Sequence, residues 1–244
     1  MKMRSLPVIS SLLFVAALVP VHAALLAPAE DDAGIAIHQT GVLVYPPMML
    51  YEAVYSGEVH VVISVDAEGR LTDSLVVSYT NRAFADSAMA AVKRWNYEPA
   101  RVHGRVCAAR ADVLFAFRDK GVIVQTFPGS LEKHMFHDMI DEQLVFTAYK
   151  LRDLDRIPTP LHVVQPVLPN GSLPNGAKRI VTVEFYIDEA GHVRMPAIDR
   201  TDAGDAYAAA AVAAVEQWQF EPPLRKGQPV LVLAKQDFAF VPKP

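Results

Sequence analysis

Apolar residues alternate with other residues at Val59, Val61, Ile63 and Val65, and again at Val181, Val183, Phe185 and Ile187. Alternation rich in β-branched side chains predicts half-buried strands. Each run leads into an Asp-x-x-Gly segment, Asp66 to Gly69 and Asp188 to Gly191, that suits a hairpin turn. Second strands are expected near residues 71–77 and 193–198, the latter weakened by Pro196. The period then changes. Phe84, Ala88, Ala91, Val92 and Trp95 fall at helical spacing, as do Tyr207, Ala211, Ala214, Val215 and Trp218. A Glu-Pro pair closes each helical stretch, since proline cannot continue a helix. Alternation resumes through Cys107, Ala109, Ala111, Val113, Phe115 and Phe117. It resumes likewise through Val230, Val232, Ala234, Gln236, Phe238 and Phe240, where Gln236 is the exception.

The two patterns are one pattern repeated. Residues 90–100 read AAVKRWNYEPA and residues 213–223 read AAVEQWQFEPP, an offset of 123. From 90 to 117, eleven of twenty-eight positions are identical at that offset, against one or two expected by chance, so a duplication is indicated. Upstream the offset is 122, which places a one-residue insertion between the turns and the helices. The expected fold is α+β: two tandem small ββαβ modules, residues 35–118 and 158–244, each a helix packed on a small antiparallel sheet. Residues 119–157 are expected to connect them. Ser130 could cap a helix there, with Leu131, Met135, Phe136, Met139, Ile140 and Leu144 as its apolar face.

The leading segment belongs to export rather than to the fold. Lys2 and Arg4 precede an apolar run at 6–19, and Val21-His22-Ala23 offers a small-residue cleavage site, so residues 1–23 read as a signal peptide. The other reading is a retained inner-membrane anchor, and only then is membrane contact expected. Residues 24–33 are small and acidic and are expected to be flexible. Cleavage would take the net charge from −4 to −6, with 27 acidic side chains against 21 basic ones. The acidic balance, without a Lys/Arg tract, argues against nucleic acid as a partner.

Candidate chemistry is sparse. Cys107 is the single cysteine, so no intramolecular disulfide can form, and its place on an apolar strand face reads as core. His134, His137, Asp138 and Asp141 share a helical face but lack zinc-motif spacing, and read as solvated side chains. Trp95 and Trp218 end the helical stripes and read as core. No phosphate-binding loop, nucleophile elbow or His-Glu-x-x-His occurs. No catalytic residue, cofactor or metal site is expected.

Tyr45-Pro46, Gly57-Glu58-Val59, Asp66-x-x-Gly69, AAVKRWNYEPA, Gly104 and Phe115-Ala-Phe117 together resemble the TonB C-terminal domain. The second copy does so through Gln165-Pro166, Asp188-x-x-Gly191, AAVEQWQFEPP, Gly227 and Phe238-Ala-Phe240. Its lead-in, residues 154–161, resembles the stretch that precedes this domain. Arg179 stands where the family and the first copy (Gly57) have glycine. The resemblance implies a non-enzymatic periplasmic protein that binds a protein or peptide partner, such as a segment of an outer-membrane transporter. The implied mode is strand addition to a sheet edge. The closing strand of each module is the expected edge: Val113, Leu114, Phe115 and Phe117, and Gln236, Asp237, Phe238 and Phe240. Two alternatives accompany it: a membrane-anchored energy transducer, and a structural envelope protein whose modules pair with each other or as a homodimer. No long extended linker of the kind a transducer needs is present in the sequence.

Overall fold

The first alternating run forms the centre of a sheet. The computed structural model describes residues 32–38, 43–128, 144–167 and 178–241. Its N-terminal half comprises β1 (Ala36–His38), α1 (Pro47–Tyr51), β2 (Ser56–Val65), β3 (Leu71–Tyr79), α2 (Arg82–Val92), β4 (Asn96–Glu98), β5 (Ala100–Val102), β6 (Arg105–Cys107), β7 (Ala109–Arg118) and β8 (Gly121–Pro128). Next come β9 (Phe146–Thr147), β10 (Tyr149–Lys150) and a 3₁₀ turn at Leu151–Asp153. The C-terminal half comprises β11 (Pro160–His162), β12 (Arg179–Ile187), β13 (Val193–Thr201), α3 (Asp205–Val215), β14 (Gln219–Phe220), β15 (Leu224–Arg225), β16 (Gln228–Pro229) and β17 (Val232–Phe240). The architecture is α+β with small, mainly antiparallel sheets, ordered β8-β7-β2-β3-β9 and β10-β17-β12-β13.

Each main helix covers one face of its sheet. Asn81 caps α2 by accepting the Ala83 N–H at 2.9 Å, and the helix buries Phe84, Ala85, Ala88, Ala91 and Val92. Facing them are Val59, Val61, Ile63 and Val65 of β2 and Ala111, Val113, Phe115 and Phe117 of β7. Trp95 stacks on Phe115 at 5.4 Å, as its place at the end of the stripe predicts. Gly57 leaves room for the Phe84 ring, since an added Cβ would lie 2.2 Å from it. The other half carries Arg179 at that place, and there Tyr207 packs edge-on against Phe240 at 5.0 Å. α3 buries Ala208, Ala211, Ala214 and Val215, and of these Ala208, Ala211 and Val215 pack with Val181, Val183, Phe185 and Ile187.

A lead-in strap crosses the far end of each half. β1 pairs with β4, and Ala33 exchanges backbone hydrogen bonds with Arg101, so Ala33 is held in place although flexibility was expected of it. Asp32 accepts the His103 N–H. Its counterpart at offset 123, Asp155, accepts the N–H groups of Lys226 at 2.7 Å and Gly227 at 2.8 Å. Lys226 (φ 51°) and Gly227 (φ 73°) both have left-handed backbone, the two-residue hairpin turn in which glycine is favoured at the second place. Glu221, of the second Glu-Pro pair, receives Arg156 at 2.7 Å, and its N–H donates to Thr159. Hydrogen bonds from the Gly227 and Lys226 amides hold the Asp155 carboxyl below its ordinary value of 3.8. A depressed carboxylate stabilises the fold fully above its unfolded value and ceases to do so as pH falls through its folded one. The Gly227 amide resonance should therefore hold steady down to about pH 4 and move only below it. In Asp155→Asn that acid transition should disappear.

The uncovered faces of the two sheets pack against each other within one unit, Asp31–Pro244. Val62 and Val77 from the first sheet meet Tyr186, Met195 and Leu231 from the second half, all buried, with Leu75, Phe146, Ala148 and Leu233 around them. Met195 reaches this layer because β13 bulges. Glu184 pairs with Ala197 and Tyr186 with Arg194, so Met195 and Pro196 together oppose Phe185, and Met195 takes φ 50°. Pro196 is thus accommodated within a strand that sequence alone weakened. Arg110 donates to Glu184 at 2.5 Å and to the Met195 carbonyl at 3.0 Å, with both side chains almost wholly buried. Lys235 also reaches Glu184, at 2.9 Å, and Arg194 Nε reaches Asp73 at 2.9 Å.

The segment between the halves is described at its two ends, 119–128 and 144–157. The proposed helix from Leu131, together with His134, His137, Asp138 and Asp141, lies outside the described residues, as does the leader. The described parts of 119–157 extend the sheets. β8 pairs with β7, β9 pairs antiparallel with β3, and β10 pairs in parallel with β17.

Candidate functional site

The eight expected edge residues divide into two groups. Val113, Leu114, Phe115 and Phe117 are not on an edge. β7 pairs with β2 on one side, and on the other with β8 from Ala111↔Pro128 to Arg118↔Gly121. Val122 and Val124 of β8 pack against the core, while Ile123 between them is 59% exposed. The edge placement of these four residues is therefore corrected: a hairpin turn past Arg118 returns the chain along the strand it has just left.

Gln236, Asp237, Phe238 and Phe240 lie on β17, whose inner side pairs with β12 from Ile187↔Val232 to Arg179↔Phe240. Its outer side meets β10 only at Tyr149↔Val232 and Lys150↔Leu233. Among the described residues, no strand pairs with the outer side of residues 234–240. Backbone direction follows from one hydrogen bond: Tyr149 N–H reaches the Leu231 carbonyl at 2.9 Å, so Leu231 faces outward. Groups on a strand alternate between its two sides, and β17 runs without a bulge. Asp237 and Ala239 therefore turn N–H and C=O away from β12. Consistent with this, Thr182 donates across the inner strand pair to the Asp237 carboxylate at 2.6 Å.

Beside this edge lies a groove of about 430 Å³, lined by Val163, Gln165, Pro166, Trp218 and residues 236–240. Its far wall is the continuation of β11, which pairs with β14 next to Trp218. The Trp218 indole N–H donates to the Val164 carbonyl at 2.8 Å and fixes that wall. Trp218 is half-buried, edge-on to Phe185 at 6.2 Å and tilted against Phe238 at 5.6 Å, so it serves core and groove together. The helical stripe points to the core first for Trp218, and no sequence pattern marks Val163 and Pro166 as lining. The trace in the sequence is the apolar lead-in Leu161, Val163 and Val164; in the structure Leu161 is 61% and Val163 43% exposed.

Elsewhere the chemistry is quiet. Cys107 is half-buried against the core, with Sγ 3.8 Å from the Ala100 carbonyl. Burial pushes the Tyr97 hydroxyl upward, and it donates to the Val92 carbonyl at 2.6 Å. Among the described residues, no helix is long and apolar enough to cross a membrane.

A family model described as Gram-negative bacterial TonB protein C-terminal matches residues 42–118 and 164–242. Among solved structures, the solution NMR structure of the Pseudomonas aeruginosa TonB CTD is similar at 25% identity. That match covers 39% of this chain and 94% of that one, with a TM-score of 0.32. No curated protein matches.

Proposed function

The chain belongs to the Gram-negative bacterial TonB protein C-terminal family, and from that premise we propose that it is a non-enzymatic periplasmic binding protein made of two ββαβ modules, only the second of which receives a partner. The partner is an extended segment of another envelope protein, an outer-membrane transporter being the kind the family suggests. It adds as a strand to the outer side of β17. One observation carries the reading: β8 fills the outer side of β7, whereas residues 234–240 of β17 keep theirs without a strand among the described residues. Strand addition needs outward N–H and C=O groups and a pocket for alternate side chains, and Asp237, Ala239 and the adjoining groove supply both. The modules do pair with each other, but through sheet faces, which leaves the second edge to a partner.

A photocrosslinking residue at Ala239 in the full-length protein tests this in intact envelopes. The expected result is an adduct with another envelope protein from position 239 and none from Ala116 on β7. Equal labelling from both positions, or from neither, overturns the reading.

A further inference from the structure

Gln236 interrupts the apolar alternation of β17, and its counterpart at offset 123 is Val113, fully buried in β7. The two residues sit on strands in opposite states. Val113 pairs with Thr126 of β8 on its outer side, whereas β17 has no such strand among the described residues. The exposed Gln236 side chain turns back along its own strand, and Nε2 donates to the Asp237 carbonyl at 2.8 Å. That carbonyl faces outward. It is a group that the backbone N–H of an added strand would otherwise meet.

Resting on the strand-addition reading, we propose that Gln236 is a built-in cap of the open edge. Its amide holds one hydrogen-bonding place of the incoming strand and gives that place up when the strand pairs. The cap answers a general hazard, since an unpaired edge invites indiscriminate pairing. It also sets a threshold, because the incoming strand exchanges one hydrogen bond for another at this carbonyl instead of gaining a new one. The chemistry of the partner follows from β8, the chain's own example of a strand on the equivalent edge. β8 turns Val122 and Val124 inward and leaves Ile123 and Gln125 toward solvent. A segment seated on β17 accordingly presents apolar side chains at alternate positions to Trp218 and Phe238, with no such demand on the positions between. Its length is bounded by the seven residues from 234 to 240, because Tyr149 and Lys150 already occupy the start of the strand.

The test uses the full chain and a fluorescent peptide of residues 120–128 (KGVIVQTFP) as probe, followed by polarization. Ala239→Pro removes an outward N–H without touching the β12 ladder, so it blocks the edge while thermal denaturation confirms the fold. Wild type is expected to bind, and Ala239→Pro to lose binding. Gln236→Ala, which removes the cap and adds no apolar contact, is expected to bind about three- to tenfold tighter. Gln236→Val is expected to bind at least as tightly as Gln236→Ala. Absence of binding to every variant, or binding that Ala239→Pro leaves intact, overturns the edge reading and the cap with it. Binding lost in Ala239→Pro but unchanged or weakened in Gln236→Ala overturns the cap alone.

Discussion

Replacing Arg110 by leucine is expected to lower the unfolding free energy by about 3 kcal/mol, because it strands a carboxylate inside the layer between the sheets. Glu184 is 1% exposed as a side chain and Arg110 is 4% exposed, so neither can recover hydration when its partner is removed. Lys235 retains contact with one Glu184 oxygen, which keeps the loss near the low end of the range for broken buried pairs. The duplication supplies the compensating change. The counterparts of Arg110 and Glu184 in the other half are Leu233 (offset 123) and Val62 (offset 122), and both belong to the apolar inter-sheet cluster. One side of a near-symmetric interface is thus ionic where the other is apolar. Arg110→Leu combined with Glu184→Val is therefore expected to recover most of the lost stability, since an apolar pair of matched volume replaces buried charges at little cost. Denaturant unfolding of wild type, both single variants and the double variant measures this directly. A double variant as unstable as the worse single one would show that the ion pair fixes the approach of the sheets.

Gly191→Ala is expected to cost about 2–4 kcal/mol and to loosen the groove as well. Gly191 has φ 88°, and an added Cβ would lie 2.0 Å from the Phe220 carbonyl oxygen, a backbone atom that cannot rotate aside. Relief requires β14 to move, yet the Phe220 N–H is bonded to the Gly191 carbonyl at 2.9 Å. β14 also carries β11, from which the Val163–Pro166 wall continues. Thermal unfolding reads the stability loss, and Trp218 fluorescence of the folded variant reads the groove. A shift in emission is expected, because the indole loses its hold on Val164.

The local half of this fold was legible. Alternation of period two at Val59–Val65 and Val181–Ile187 and helical spacing from Phe84 to Val92 each depend on a few neighbouring residues, and the structure realises them. The helices end at Val92 and Val215, however, and β4 and β14 stand between them and the prolines of the Glu-Pro pairs. What escaped was non-local. Whether Phe115 lies at an edge depends on where β8 goes, and GVIVQTFP falls within the expected connecting segment although Val122 and Val124 already alternate. The buried inter-sheet face left a trace in the runs Val61-Val62-Ile63 and Phe185-Tyr186-Ile187. Unbroken apolar stretches of this kind mark strands buried on both sides, but the alternation of the longer runs around them points to one buried face. Arg110 and Glu184 gave no warning, since a charge on a strand is normally turned to water. At the candidate site, the alternating pattern marks the residues of β17 and shows Gln236 as its exception. Its meaning required the direction of the Asp237 carbonyl, which no sequence pattern carries.

Site-resolved amide hydrogen exchange on the free full-length chain tests most directly whether one closing strand is closed and the other open. The amides of Asp237 and Ala239 are expected to exchange rapidly, while those of residues 111–117 are slow throughout because β2 and β8 flank them. Protection of Asp237 and Ala239 equal to that of β7 would mean that the second edge is already occupied, and would contradict the account.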